Sequence, residues 1–342
     1  ALTITGDLTI TSGKMDTGAD HALTVTGATL IDTNGTLTLN GSTSIFTGTG
    51  ASSWCLSIKG TLNGGTGTCT TNNFGTYANS NVVLPRTVNC TGNHAGYTFN
   101  TDQGLGTGSW DSNLSTVTIT ATSSKIRGAG TADAPFYNLI IDTAGSTISA
   151  ETGRPVSVTN NFTITAGTYN TDSAGALGTT TLTVGNNTTV ENGSTLTGND
   201  SVCTFGTNGV YGDREQGVLW LDTGSAFTFG SGDVTIYGGF KAASTNTLTS
   251  SGGGDLYIAG RSGNGFICNH NCTGVNITGD VKIIFNETSL IDCRGNPNFT
   301  CRRFSIDVDE KVETWCSSAD QSFTLNGDMY ITTGSFESNG EG

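Results

Sequence analysis

Cys268-Asn-His-Asn-Cys272, followed by Cys293 and Cys301, brings four thiols and the His270 imidazole into one short span. Thiolates and an imidazole are zinc ligands, which a structural site arranges tetrahedrally. The spacing is not that of paired CxxC knuckles. The chain also carries Cys55, Cys69, Cys90, Cys203 and Cys316, and it is rich in Asn-X-Ser/Thr sequons. These include Asn34, Asn40, Asn89, Asn113, Asn161, Asn192, Asn271, Asn276, Asn286 and Asn298. Thiols together with sequons point to an oxidising, extracellular or cell- or virion-surface setting, where disulfides form and asparagines are glycosylated.

Oxygen ligands come next. GSGDVTIYG at 230–238 and GGGDLYIAG at 252–260 partly match a calcium-binding nonapeptide, but they are not in tandem. Asp307, Asp309, Glu310 and Glu313 form an acidic run whose alternation reads as a solvated strand face. Calcium is the one cofactor these residues suggest, and the suggestion is weak; no other cofactor is expected. The three histidines, His21, His94 and His270, lie in polar, turn-like contexts, and no Gly-X-Ser-X-Gly elbow or phosphate-binding loop accompanies them. The expectation is that the protein is not an enzyme.

The elements that would position such groups are strands. LTIT, LTVT, LTLN, STVTITAT, NLIID, VSVT, FTIT, TLTV, DVTIY and VKIIF alternate with period 2, and Gly, Asn, Asp or Ser bounds most of them. A helical i, i+3, i+4, i+7 pattern is missing. The phrase LTITGDLTITSGKMDTG at 2–18 returns as VSVTNNFTITAGTYNTD at 156–172 and as FTLNGDMYITTGSFESN at 323–339. Such recurrence is the mark of a repeat array. We expect an all-β parallel β-helix, or β-solenoid, with 1–151 as a first segment and 152–342 as a second. Inward Leu, Ile, Val and Phe would alternate with outward Thr, Ser and Asn. The aromatic-rich 205–240 and the Cys-rich 264–320 read as irregular insertions or a different packing, the second containing disulfides. The alternative is a tandem of β-sandwiches, whose hairpins also use Gly-Asp and Asn-Gly turns.

Stacked coils make disulfide geometry testable. Residues one coil apart lie about 4.8 Å from each other, inside the window of about 4.4–6.8 Å between Cα atoms that a disulfide needs. Cys69 to Cys90 and Cys272 to Cys293 are equal steps in sequence. A coil of that length would link both pairs. Cys55, Cys268, Cys301 and Cys316 are the further candidates. Nine cysteines leave one over, and Cys203, far from the rest, is expected as the free or interchain thiol.

FYNLIIDTAGSTISAETGRPVSVTNNFTITAGTYNT resembles the repeat-rich β-solenoid surface proteins of bacteria, archaea and their viruses: filamentous-haemagglutinin-like adhesins, sheath proteins and viral fibres. That resemblance implies a structural or adhesive role and transfers no catalytic residue. Asn100-Thr101-Asp102 and Asn170-Thr171-Asp172 are similar to the Asn-Thr-Asp of polygalacturonase-like hydrolases, which are also β-helices. Lys125-Ile126-Arg127 and Gly92-Asn93-His94 weakly resemble their basic and His motifs, but the paired Asp-Asp is missing.

Asp+Glu is 28 against Lys+Arg 14, a formal net charge of −14, which disfavours nucleic acid as a partner. No apolar run is long enough to cross a membrane as a helix. Strand pattern begins at Leu2 and Ile4, continues through Leu8 and Ile10, and closes on Phe323, Leu325, Met329 and Ile331. These residues are the expected assembly ends of a subunit that polymerises, head to tail or side by side, into a filament, sheath or fibre. The alternative partner is a surface glycan, bound through Trp54, Trp110, Trp220 or Trp315 or cleaved by a viral spike. Glycosylation is expected at Asn34, Asn89, Asn113, Asn161, Asn192, Asn276, Asn286 and Asn298.

Overall fold

In the computed structural model the described residues are 1–18, 21–48, 54–101, 107–127, 134–172, 180–208, 218–243, 246–259, 266–268, 276–279, 282–285, 289–292, 298–316 and 324–340. All elements among them are strands, and every strand pairing is parallel. The fold is a β-solenoid, which excludes the sandwich tandem and its antiparallel hairpins. Leu2–Ile4 and Leu8–Asp16 read locally like a hairpin turning at Gly6-Asp7, yet each pairs instead with the following coil, Leu2 opposite Leu23 and Leu8 opposite Thr29. Asp7 serves that stacking, since its Oδ1 accepts a hydrogen bond from the Ala28 amide at 2.8 Å.

The chain divides into two units, Ala1–Val158 and Thr159–Gly342. Val158 belongs to the first because it bridges Phe136, whose amide donates to the Ser157 carbonyl at 2.9 Å.

In the first unit Leu23, Ser44, Cys69, Val88, Val117 and Leu139 stack in one inward column, and Val25, Phe46, Thr71, Cys90, Ile119 and Ile141 in the next. All are buried. Each fully buried Leu, Ile, Val or Phe contributes about 1.5–3 kcal/mol, so the core is a sum of many equal layers. Phe74 and Phe99 stack with their rings 4.8 Å apart and 9° from parallel. Coil length is not constant. Asn89 follows Thr70 by 19 residues, and Thr122 follows Asn93 by 29, while stacked strands keep their register. Surplus residues therefore go into the corners.

The second unit repeats this with Leu182, Cys203, Val234, Leu256, Ile283, Phe304 and Met329 in one column. The described strands within 205–240 and 264–320 belong to this array, which corrects the reading of both stretches as irregular insertions. Aromatic residues there fill the same inward positions as Leu and Ile do elsewhere: Phe205, Phe227, Phe229 and Phe240 are fully buried or nearly so.

Two glycine roles recur. Gly6, Gly27 and Gly48 are stacked at one corner, and a Cβ at Gly48 would overlap the Gly27 carbonyl. Gly13 and Gly334 have φ of 85° and 81°, left-handed values that suit glycine, at the same place in the recurring phrase.

Outward positions are just as ordered. On the strands Leu23–Val25, Thr43–Phe46, Thr68–Thr71, Thr87–Cys90 and Thr116–Ile119, one outward row is Thr43, Thr68, Thr87, Thr116. A second is Thr24, Ile45, Thr70, Asn89, Thr118. A third continues where the strands end, through Thr26, Thr47, Asn72, Thr91 and Thr120, linked by amide-to-carbonyl bonds from coil to coil.

Candidate functional site

The expected assembly ends expose Leu2, Met329, Tyr330 and Ile331, four of the eight exposed large apolar side chains among the described residues. In the first coil Leu2 is 49% exposed, Ile4 and Leu8 are half-buried, and only Ile10 is buried. Leu2, Met15, Asp16, Thr17, His21 and Leu23 line a cavity of about 330 Å³ there. Asp16 is held below the usual carboxylate range, chiefly by Lys14 at 2.8 Å, with the Gly18 amide and the Asn40 side chain also donating to it. In the last coil, Thr324–Gly340, Met329 is 39%, Tyr330 45% and Ile331 50% exposed, and Leu325 is half-buried. Phe323 lies outside the described residues. This edge is held from below: the Arg303 guanidinium sits 4.2 Å from the Tyr330 ring, the Thr333 hydroxyl donates to Asp307 at 2.8 Å, and Lys311 pairs with Glu337 at 3.2 Å and with Glu313. Hydrogen bonds that its ammonium donates to the Glu313 and Glu337 carboxylates raise Lys311 above its ordinary value.

The thiols are placed differently from expectation. Cys55, Cys69, Cys90 and Cys203 are free and fully buried. Cys69 lies opposite Val88, and Cys90 opposite Thr71. An offset of two residues on neighbouring strands separates the Cα atoms by about 8 Å, outside disulfide range. The expected Cys69–Cys90 link is therefore corrected; the coil at that level is two residues shorter than the assumed one. Burial pushes the Cys69 and Cys203 thiols up to about 12, Cys55 adding to the effect at Cys69. Burial raises Cys90 as well, with Cys69 and Cys55 contributing. Such thiols stay protonated, unsuited to metal or nucleophilic chemistry. Cys203, enclosed in its column, is not placed for an interchain bond. Cys268, Cys301 and Cys316 lie in strands, while Cys272, Cys293 and His270 fall outside the described residues.

The hydrolase-like motifs are mostly corners. Asn100 and Thr101 are buried, and the Thr101 amide donates to the Arg127 carbonyl at 2.8 Å; Asp102 lies outside the described residues. Thr171 donates to the Gly198 carbonyl at 2.6 Å, and the buried Asp172 takes its place through its amide, which donates to Asn170. Lys125 and Arg127 flank the Tyr97 ring, and Glu151 accepts from the Tyr97 hydroxyl at 2.6 Å and pairs with Arg127. That cluster is a braced corner with one carboxylate; glycoside hydrolysis uses two. His94 packs edge-on against Trp54 at 5.7 Å.

The two calcium-like phrases, though not in tandem in the sequence, stack on successive coils, Val234 opposite Leu256. Asp233 spends an oxygen on the Asp255 amide at 3.0 Å, and Asp200 accepts from the Ser231 amide and hydroxyl, which hold it below the usual carboxylate range. No group of three or more His, Cys, Asp or Glu side chains poised around a metal occurs among the described residues.

Of the sequons, Asn34 and Asn192 are exposed. Asn113 has φ of 49° and donates to the Gly65 and Leu84 carbonyls at 2.8 and 2.9 Å, so its amide is committed. Asn161 accepts from the Asn187 amide, and Asn89 faces Thr70. Asn276 and Asn298 stack in strands, and Asn286 lies outside the described residues. Trp54 is buried, and Trp110 donates to the Pro135 carbonyl at 2.9 Å, whereas Trp220 is exposed. The Trp315 side chain is not described.

The feature the sequence reading missed is the three-row threonine face. Its signal was TVTIT at 116–120, which places three threonines on one side of a strand and its continuation. No helix among the described residues is long and apolar enough to cross a membrane. No protein-family model matches the chain, and neither a curated protein nor a solved structure does.

Proposed function

We infer that the protein is an extracellular structural subunit whose last coil stacks against the first coil of a second copy, building a filament, sheath or fibre. One observation carries this reading. The coil of residues 2–18 and the coil of residues 324–339 each form the same kind of corner, Ile10–Gly13 in one and Ile331–Gly334 in the other, with matching left-handed glycines. The first copy already stacks on the coil that follows it, Ile10 opposite Ile31 and Gly13 opposite Gly35, with one register shift between them. An exposed parallel edge offers amides and carbonyls to a further strand, and a head-to-tail contact that does not close generates a fibre. Sedimentation velocity and negative-stain microscopy across a concentration series test it. Polymers that Ile331→Glu abolishes are expected; a 35.1 kDa monomer that persists at high concentration overturns it.

A second reading, recognition of a glycan, is favoured by Trp220, exposed on an outward row with Lys241 Nζ 5.8 Å from its ring. An exposed indole is a platform for a sugar ring. Glycan-array binding lost in Trp220→Ala would support it.

A further inference from the structure

The geometry points to the threonine face of the first unit as a binding surface for crystalline water, an ice-binding plane. Fifteen outward positions are arranged as three rows on five successive coils, at 22, 24 and 26, 43, 45 and 47, 68, 70 and 72, 87, 89 and 91, and 116, 118 and 120. Eleven are threonine; the others are Ala22, Ile45, Asn72 and Asn89. None is charged and none is aromatic.

Three properties of this face select the ligand. First, its register is unbroken: the pairings across these five strands contain no shift. The hydroxyls therefore repeat in two dimensions, about 4.8 Å from coil to coil and about 6.6 Å from row to row. Both repeats lie near the oxygen repeats of a prism face of hexagonal ice. Second, neighbouring coils are tied along the third row. Thr91 Oγ1 donates to Asn72 Oδ1 at 3.1 Å, and Asn72 Nδ2 donates to the Thr47 carbonyl at 2.7 Å, which fixes side chains before any ligand arrives. A pre-ordered array loses little entropy on binding, so many weak contacts can add up. Third, the chemistry is mixed at the eleven threonine positions. A threonine offers a hydroxyl that hydrogen-bonds and orders a water and a methyl that water must enclose rather than bond.

Other occupants fit less well. A polyanion needs cations, and these rows have none. A crystalline polysaccharide would stack on aromatic rings, and the rings of this level, such as Phe46, point inward. The surface differs from the coil edges that polymerisation would use, so the two ideas stand or fall separately.

The test is growth of a single ice crystal in a solution of the whole chain, with ice-affinity partitioning in parallel. The chain is expected to facet the crystal, to hold it unchanged over a gap between melting and freezing, and to partition into ice. Thr70→Lys and Thr118→Lys, in the middle row, should each cut the gap about tenfold with an unchanged circular-dichroism spectrum. Thr61→Lys, outward on a different strand series of the same unit, should leave it intact. A round crystal with no gap at millimolar protein overturns the proposal. So does full activity in Thr70→Lys, or equal loss in Thr61→Lys.

Discussion

Cys90 sits opposite Thr71, and Cys69 two residues before it sits opposite Val88, so two thiols of one core face each other only diagonally. With no bridge between them, the first unit gains nothing from oxidation at this level. In the folded chain Cys55, Cys69, Cys90 and Cys203 should not react with Ellman's reagent, and all four should titrate once denaturant is added. Rapid reaction of Cys69 in the native state would contradict the buried placement.

The same burial gives a pH dependence. The Cys69 and Cys203 thiols rise from 9.0 to about 12 in the folded protein. Below pH 9 both folded and unfolded states keep these protons, and the contribution is fully present. Above it the unfolded state loses them first, binds fewer protons than the native state, and is favoured. Stability should fall between pH 9 and about 12. A Cys69→Ser, Cys203→Ser double variant should show a shallower decline in melting temperature over that range.

Phe99 stacks on Phe74 and meets Phe136 at 5.0 Å between ring centroids. Phe99→Ala removes a fully buried ring shared by neighbouring coils. The expected cost is about 3–5 kcal/mol, read from urea unfolding. A loss under 1 kcal/mol would mean that the layer collapses onto the gap.

Tyr169 is fully buried, and its hydroxyl has no hydrogen-bond partner among the described residues. Burial raises its pKa, with Cys203 adding to the effect. Removing an unmet hydroxyl relieves a desolvation cost, so Tyr169→Phe should be neutral or stabilising by up to about 1–3 kcal/mol. A clear drop in melting temperature would reveal a partner for that oxygen.

Gly48 marks the closest coil-to-coil approach at its corner. Gly48→Ala puts a methyl into the Gly27 backbone and should lower the melting temperature, whereas Gly96→Ala, with open space but φ of 84°, should act through backbone strain alone. Thermal scans of the two variants separate packing from conformation.

The alternation in LTVT and FTIT was enough to assign inward and outward faces, because side-chain period and strand period are the same quantity. The class of fold followed from repeats such as 2–18 and 156–172. What could not be read was the register of each level. It depends on how many residues each corner absorbs, and no local pattern records that. Assuming one coil length mispaired Cys69 with Cys90, while ignoring stacking hid the neighbourhood of Asp233 and Asp255. The aromatic stretch 205–240 misled for another reason. Phe and Leu satisfy the same inward column, so a shift in composition left the architecture unchanged.

The corners take up insertions while the strands hold their register, and this bears on how such a chain finds its fold. Each level is closed by a loop of similar size, about 20–30 residues, so the entropy of closure is met in equal instalments along the sequence. Once one level exists, the next needs only to lie down on it, as in other linear arrays. Lengthening the protein would add further steps of the same kind without making any one step harder. A chain of this design can be extended by duplication with its folding rate limited by the first successful turn, not by total length.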